Sequence, residues 1–235
     1  MERFELTSPV VVVSSHLDDA VLSCGDLLFA HPSTTVLTVF AGAPPVEHVG
    51  YNSRCTGKSF APDAMVVRRQ EDRRALEYLG ATPVWLDLFE EEYASYRPTS
   101  DYRLIVRDEI ARVLDDARAS TVFAPLGLIH PDHRMVSDAC VDVASEDTRT
   151  WYAYLDLPYG LGGRANRWAA SKRRRDLGRR LNLIALHRAW NRSGLKVEAM
   201  AHYSSQVGPT RESFPEGYDL AMQGGEEYWR LRRRR

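Results

Sequence analysis

The sequence is poor in cysteine and lacks the spacings that cysteine-based sites need. Its 235 residues include three cysteines, Cys24, Cys55 and Cys140, which lie far apart and form no CxxC pair. An odd number of widely spaced cysteines argues against a disulfide framework and against a cysteine-rich zinc site. A reducing compartment fits this usage best, and we expect the chain to reside in the cytoplasm.

The sequence also lacks a long hydrophobic run and an excess of charge of either sign. The apolar run at 9–15 is far shorter than the roughly 20 residues of a membrane span, and it lacks the basic flank and cleavage site of a signal peptide. A formal net charge of -1 and 44% hydrophobic residues are typical of a globular protein rather than a disordered or nucleic-acid-binding one. We therefore expect neither a membrane nor a nucleic acid as partner.

Short apolar runs alternate with amphipathic segments along the first two thirds of the chain. Runs rich in β-branched residues predict buried strands at 9–15, 36–41, 83–88 and 121–126, and 151–157 predicts a fifth. Segments with helical periodicity lie between these runs, at 61–79, 101–117 and 132–144. This order predicts a Rossmann-like, doubly wound α/β fold: one domain over residues 1–235, with a mostly parallel sheet in three αβα layers.

The last third of the chain has weaker patterns. Segment 160–180 is rich in glycine and arginine and loses the alternation, and residues 181–190 predict a late helix. Segment 164–188 carries nine basic residues against one acidic residue, a composition that suits a phosphate- or nucleic-acid-binding surface. Because the whole chain is slightly acidic, we favour a solvated helix face or a lid over the substrate, and keep a non-catalytic binding module as the alternative function.

Two polar clusters follow the ends of predicted strands. His16-Leu17-Asp18-Asp19 follows the first strand, and His130-Pro131-Asp132-His133 follows the fourth. In a doubly wound sheet these strands are neighbours where the strand order reverses, and sites collect outside their carboxyl ends. Two histidines and one carboxylate, with a fourth position for water, form an open catalytic site known for zinc and suited also to ferrous iron.

Each cluster alone also has a structural interpretation. Asp18 or Asp19 would serve as the N-cap of the following helix, and histidines at strand ends are often solvated loop residues. Two such clusters at strand ends that the fold brings to one crevice make a shared functional site the stronger interpretation.

The motifs resemble those of the PIG-L/LmbE-like zinc N-deacetylases, whose first motif is usually AHPDDE and whose second is HxDH. Here they read SSHLDDA and IHPDHR, and weaker similarity at Arg68-x-x-Glu71 and in HYSSQV at 202–207 extends over nearly the whole chain. Leu17 and Ala20 replace the usual proline and glutamate, neither of which is a ligand in the family. Leu128 lies where some members carry a tyrosine thought to assist the oxyanion.

The resemblance implies a role for each residue of the two motifs. Asp18 would be the general base toward water, His130 would protonate or support the intermediate, and Asp132 would orient one of the histidines. A protonated amine leaves far more readily than an unprotonated one, so the chemistry requires an acid near the leaving group. The metal, zinc or alternatively ferrous iron, would be bound by His16, Asp19 and His133.

The resemblance also implies a substrate class. The first motif reads HLDDA, and Pro-Leu-Gly-Leu precedes the second motif. This combination is most similar to the motifs of family members that deacetylate N-acetylglucosaminyl groups of secondary metabolites, such as antibiotic intermediates. Another acyl group or a thiol conjugate remains the related alternative, and the sequence leaves homo-oligomer formation open. Arg68, Asp87 and His202 are the predicted substrate contacts, although Arg68 would equally pair with Glu71 or Asp72 on its helix surface.

Overall fold

The computed structural model describes residues 6–44, 48–98, 100–186 and 194–234, and these form a seven-stranded sheet flanked by helices. The strand order is β3-β2-β1-β4-β5-β7-β6. The strands are β1 Val10–Ser14, β2 Thr35–Thr38, β3 Thr82–Trp85, β4 Thr121–Pro125, β5 Thr150–Tyr154, β6 Leu181–Ala185 and β7 Tyr228–Arg233. The helices are α1 Asp19–Ala30, α2 Tyr51–Thr56, α3 Ala61–Tyr78, α4 Tyr102–Asp116, α5 Pro131–Glu146, α6 Arg164–Leu177, α7 Leu195–Met200, α8 Ser204–Ser213 and α9 Pro215–Met222.

The helices cover the sheet on two faces because the crossovers run in opposite directions. From β1 the chain moves to β2 and β3 through α1 and α3, whereas the connections to β4 and β5 run the other way through α4 and α5. Right-handed crossovers in opposite directions place their helices on opposite faces of a parallel sheet. β1 and β4, at the centre, are therefore buried along their whole length.

The predicted doubly wound α/β fold is confirmed. The five strands and three helices expected from periodicity are present, with ends shifted by three residues at most. None of the described helices combines the length and the apolar character needed to cross a membrane.

The prediction for the last third of the chain is wrong in one place. Residues 181–185 form β6 rather than a helix, because they pair antiparallel with β7 at the edge of the sheet; residues 187–190 of that predicted helix lie outside the described part. Segment 160–180 contains α6, which agrees with the helix face that was one of the two interpretations favoured for the basic segment. The pairing partner of β6 lies more than forty residues further along the chain, so local pattern alone could not reveal it.

The strand order fixes the place of the polar clusters. β1 pairs parallel with β2 on one side and with β4 on the other, so the order reverses between β1 and β4. Residues that follow these two strands leave the sheet at the same edge, and helices α1 and α5 begin there. The predicted convergence of the two clusters is thus a property of the observed topology.

Candidate metal centre

Three side chains meet at the carboxyl edge between β1 and β4. His133 Nε2 lies 3.1 Å from Asp19 Oδ2 and 3.3 Å from His16 Nδ1, and the distance from His16 Nδ1 to Asp19 Oδ2 is 3.4 Å. Two ligands of a tetrahedral zinc ion with bonds of roughly 2.0–2.1 Å are about 3.3 Å apart. The three atoms therefore have the spacing of one face of such a coordination site.

Two buried carboxylates orient the imidazole rings. Asp132 Oδ2 lies 3.0 Å from His16 Nε2, and Asp156 Oδ1 lies 2.7 Å from His133 Nδ1. Each carboxylate accepts a hydrogen bond, so the outer nitrogen of each ring carries a proton and the inner nitrogen can present a lone pair. Two lone pairs only 3.3 Å apart repel unless a cation lies between them, so the donor set fits a divalent metal ion.

The electrostatics of the cluster agree with this assignment. Burial disfavours a charged imidazole, yet hydrogen bonds to Asp132 and Asp19 raise the pKa of His16. For His133, the Asp19 charge and the Asp156 hydrogen bond likewise outweigh burial and raise the pKa to about 9. Burial favours a protonated Asp19, but the charge of His133 lowers the pKa of that carboxyl well below its usual range. The carboxylates thus supply negative charge that a metal ion can satisfy in place of protons.

Asp132 contacts the histidine that it was predicted to orient. Its carboxylate is fully buried and accepts hydrogen bonds from the Glu91 backbone N–H at 2.7 Å and from Arg97 Nη2 at 2.6 Å, besides the contact with His16. Burial alone would raise its pKa, but the bond to His16 and the charge of Arg97 lower it. Asp132 is therefore an ionised carboxylate held rigidly against the His16 ring.

Asp18 lies in a strained backbone conformation beside the metal ligands. Its φ of 106° is in the left-handed region, which favours glycine. Although Asp18 occupies the N-cap position of α1, its carboxylate makes no capping bond, and no hydrogen bond joins it to any other described residue. Burial and the adjacent charge of Asp19 raise its pKa to about 8. The interpretation of Asp18 as a side-chain helix cap is therefore wrong.

His130 does cap its helix. Its Nδ1 accepts a hydrogen bond from the Asp132 backbone N–H at the start of α5, at 3.2 Å. The neutral ring therefore carries its proton on Nε2. Burial, followed by the positive charges of His16 and His133, lowers the pKa of His130 to about 4.

A cavity of about 340 Å³ opens beside these residues. Arg68 lies in its wall, is 4% exposed, and donates from Nη1 to Asn52 Oδ1 at 2.7 Å and to Glu90 Oε1 at 3.4 Å. The alternative of a surface pair with Glu71 or Asp72 is therefore wrong. The cavity is lined by His16, Asp18, Asp19, Leu22, Tyr51, Asn52, Arg68, Glu90, Glu91, Glu92, His130, Pro158, Tyr159, Gln206 and Thr210.

Two of the three predicted substrate contacts lie elsewhere. The Asp87 side chain is 85% exposed and forms an ion pair with Arg69 outside the cavity. The His202 ring packs against Tyr78, the last residue of α3, because α3 runs from the cavity edge of the sheet toward the opposite edge. Neither residue lines the cavity, so both predictions are corrected.

Sequence reasoning missed several polar residues of the cavity region. Asp156, which orients His133, follows β5, the neighbour of β4, so the rule that located the two motifs also applied to it. Asn52, Glu90 and Tyr159 lie outside any recognised motif, and nothing in the pattern of the sequence indicated them.

Comparison with known proteins agrees with this geometry. The model of the PIG-L family, described as GlcNAc-PI de-N-acetylase, matches residues 11–144. The chain belongs to the PIG-L family. Both polar clusters lie within the matched residues, whereas Asp156, Tyr159 and Gln206 of this PIG-L chain lie beyond them.

Individual relatives of this PIG-L chain include deacetylases of antibiotic intermediates. The 2'-N-acetylparomamine deacetylase of Streptomyces fradiae is 30% identical over 158 residues, which are 63% of this chain and 57% of that relative. The crystal structure of the A40926 pseudoaglycone deacetylase is 26% identical, with a TM-score of 0.71 over 95% of this chain and 97% of that one. The zinc-inhibited form of teicoplanin deacetylase is 25% identical, with a TM-score of 0.75 over 96% and 98% of the two chains.

Proposed function

We propose that this protein is a zinc-dependent N-deacetylase that hydrolyses the acetamide of an N-acetylated amino sugar in an antibiotic intermediate. The observation that carries the proposal is the triangle of His16, Asp19 and His133 ligand atoms, with the Asp18 carboxyl, which no described residue hydrogen-bonds, beside it. The relatives that act on paromamine, A40926 and teicoplanin compounds support the reaction class. Zinc inhibits the teicoplanin enzyme, so a divalent metal ion binds a relative of this chain; the choice of zinc here rests on the donor set of two histidines and one carboxylate.

The chain's own residues divide the work of amide hydrolysis. His16, Asp19 and His133 would hold a divalent ion, which when bound would supply Lewis acidity toward the acyl carbonyl and lower the pKa of water to about 7. Asp18 would accept the proton of the attacking water, since it lines the cavity and none of the described residues hydrogen-bonds its carboxyl. A cation bound beside it would favour the ionised form of this carboxyl, whose pKa burial and Asp19 raise to about 8. His130, whose ring is neutral with its proton on Nε2, would support the intermediate as a hydrogen-bond donor, and Asp18 would pass the proton taken from water to the departing amine. Asp132 keeps the His16 ring in place.

The charge of the cavity favours a cationic amino sugar among the relatives' substrates. Glu90, Glu91 and Glu92 add three carboxylates to the wall that already contains Asp18, and Arg68 lies among them. Carboxylates in a confined cavity favour ligands that carry ammonium groups. We therefore propose a paromamine-type aminoglycoside intermediate in preference to a glycopeptide.

Release of free amine from a panel of N-acetylated amino sugars, with and without a chelator, tests this function. We expect turnover of 2'-N-acetylparomamine to exceed that of N-acetylglucosaminyl glycopeptides, to be abolished by the chelator and to return with zinc. His133→Ala should lose both activity and the bound metal, about one equivalent per chain, whereas the exposed Asp87→Asn should keep both. Activity that survives the chelator would refute a metal-dependent reaction.

If the protein were instead a binding module that uses segment 164–188, it would release no amine from these substrates. None of the described residues of α6 or β6 lines the cavity, so that surface would work without the metal cluster. Salt-dependent binding of DNA or RNA in the absence of amidase activity would favour this alternative.

A further inference from the structure

The turn after β5 brings a tyrosine to the cavity beside a metal ligand. Tyr159 lines the cavity, and its ring centroid lies 5.0 Å from that of His133 at an interplanar angle of 78°. On its other side, Phe214 makes a second edge-to-face contact, with centroids 4.9 Å apart. Such contacts are favourable aromatic geometries, and a pair of them restricts the orientation of the ring.

The same turn also orients His133. The Gly160 N–H donates to the Asp156 carbonyl at 2.8 Å and closes the turn, and the Asp156 carboxylate accepts hydrogen bonds from His133 Nδ1 and from the Gly127 N–H. A side chain at Gly160 would come within 2.4 Å of Leu155, so the turn permits little adjustment. Tyr159 and His133 are thus fixed relative to each other by one short segment.

The Tyr159 hydroxyl differs from those of two fully buried tyrosines, Tyr154 and Tyr203. Tyr154 donates to the Val13 carbonyl at 2.8 Å, and Tyr203 donates to Asp72 at 2.7 Å. Among the described residues, the hydroxyl of Tyr159 has no hydrogen-bond partner, and it is not one of the buried unpartnered atoms, so it is accessible in this half-buried side chain. A tyrosine hydroxyl ordinarily has a pKa of about 10, so it is protonated at neutral pH and can donate a hydrogen bond.

We propose that Tyr159 is a catalytic residue that donates a hydrogen bond to the oxyanion formed on the acyl carbonyl during amide hydrolysis. The proposal rests on the function proposed above. The proton stays on the tyrosine oxygen throughout, so the step needs no further reactant. Together with His130 Nε2–H, the hydroxyl gives the cavity a second neutral donor beside the ligands.

Tyr159→Phe tests the proposal because it keeps the ring contacts and removes only the hydroxyl. Loss of an oxyanion donor lowers kcat by about 100- to 1,000-fold, and we expect a fall in this range with KM within about twofold, normal zinc content and an unchanged Tm. Tyr78→Phe, an exposed position at the far end of α3, is the matched control and should keep wild-type kcat.

A binding measurement separates this role from a structural one. A phosphonate analogue of the tetrahedral intermediate should bind Tyr159→Phe more weakly by about the factor lost in kcat, whereas the amino-sugar product should bind as before. An unchanged kcat, a rise in KM alone or unchanged affinity for the phosphonate would overturn the assignment. Wild-type protein that releases no amine from any acetamide would instead refute the proposed function.

Discussion

At the scale of single residues, His133 depends on a partner outside both motifs. Its Nε2 faces Asp19 and His16 only because Nδ1 donates to Asp156. The carboxylate is 1% exposed, and its other oxygen accepts a hydrogen bond from the Gly127 N–H at 2.8 Å. A carboxylate in this position sets the orientation of a metal-binding histidine and raises its basicity.

Asp156→Asn should therefore weaken metal binding without removing a ligand. The amide has one acceptor oxygen, so it cannot accept from both His133 and Gly127. We expect zinc affinity, measured by competition with a chromophoric chelator, to fall about 10- to 100-fold. The exposed Asp87→Asn is the control and should bind zinc as the wild type does. Equal affinities for the two variants would show that Asp156 has no part in the site.

Whether a site residue could be predicted from the sequence depends on how the fold places that residue. His16, Asp19, Asp132 and His133 were predictable because they directly follow strands whose order the fold class fixes. Tyr159, by contrast, reaches the cavity through the geometry of a turn, which no periodicity in the sequence encodes.

At the scale of elements, the connection from β4 to α5 requires a glycine. Gly127 has a φ of 87°, and a Cβ at this position would lie 2.6 Å from the Cβ of Ser137. Its N–H donates to Asp156. This connection leads directly to His130 and His133, so its conformation is coupled to the site.

Gly127→Ala should destabilise the protein. Left-handed backbone costs a non-glycine residue about 1–2 kcal/mol, and overpacking adds about 1–3 kcal/mol, so urea unfolding should show a loss of roughly 2–5 kcal/mol. Gly194→Ala is the control, since its φ is -58° and no atom of the described residues lies within 4 Å of the added methyl group. That variant should be unchanged or more stable by up to about 1 kcal/mol. Similar unfolding curves for both variants would contradict the argument.

Prediction of the elements succeeded where a repeated local pattern marks them and failed where no such pattern does. β1 to β5 and the helices between them repeat one unit, so periodicity and strand length identified them. β6 is stabilised by antiparallel pairing with β7, and its five residues are too few to distinguish a strand from a helix by pattern.

At the scale of the whole molecule, buried charged groups join the C-terminal part to the central fold. Lys196 Nζ lies 3.0 Å from Glu226 Oε1, and the same oxygen accepts from the Asp26 backbone N–H at 2.9 Å. Glu71 of α3 accepts hydrogen bonds from the Ser205 N–H and hydroxyl at the start of α8. These hydrogen bonds explain the similarity in HYSSQV: Ser205 of that stretch binds Glu71 and so holds in place the segment that brings Gln206 to the cavity.

Another buried charged group, Asp72, should make the free energy of unfolding depend on pH. Asp72 is 2% exposed and accepts hydrogen bonds from Trp85 Nε1 and the Tyr203 hydroxyl, both at 2.7 Å. Burial nevertheless raises its pKa from 3.8 to about 6. The folded state therefore binds this proton more tightly than the unfolded state, and ionisation of Asp72 destabilises the fold increasingly as pH rises from about 4 to 6.

Asp72→Asn removes that penalty and should be most stabilising at alkaline pH. A shift of about two pKa units corresponds to about 3 kcal/mol, from which a weakened hydrogen bond subtracts about 1 kcal/mol. In urea unfolding we expect the variant to exceed the wild type by roughly 1–2 kcal/mol at pH 8 and to show no advantage at pH 4. The exposed Asp108→Asn should show no such trend. If the difference between Asp72→Asn and wild type were the same at both pH values, the Asp72 carboxyl would titrate normally in the folded protein.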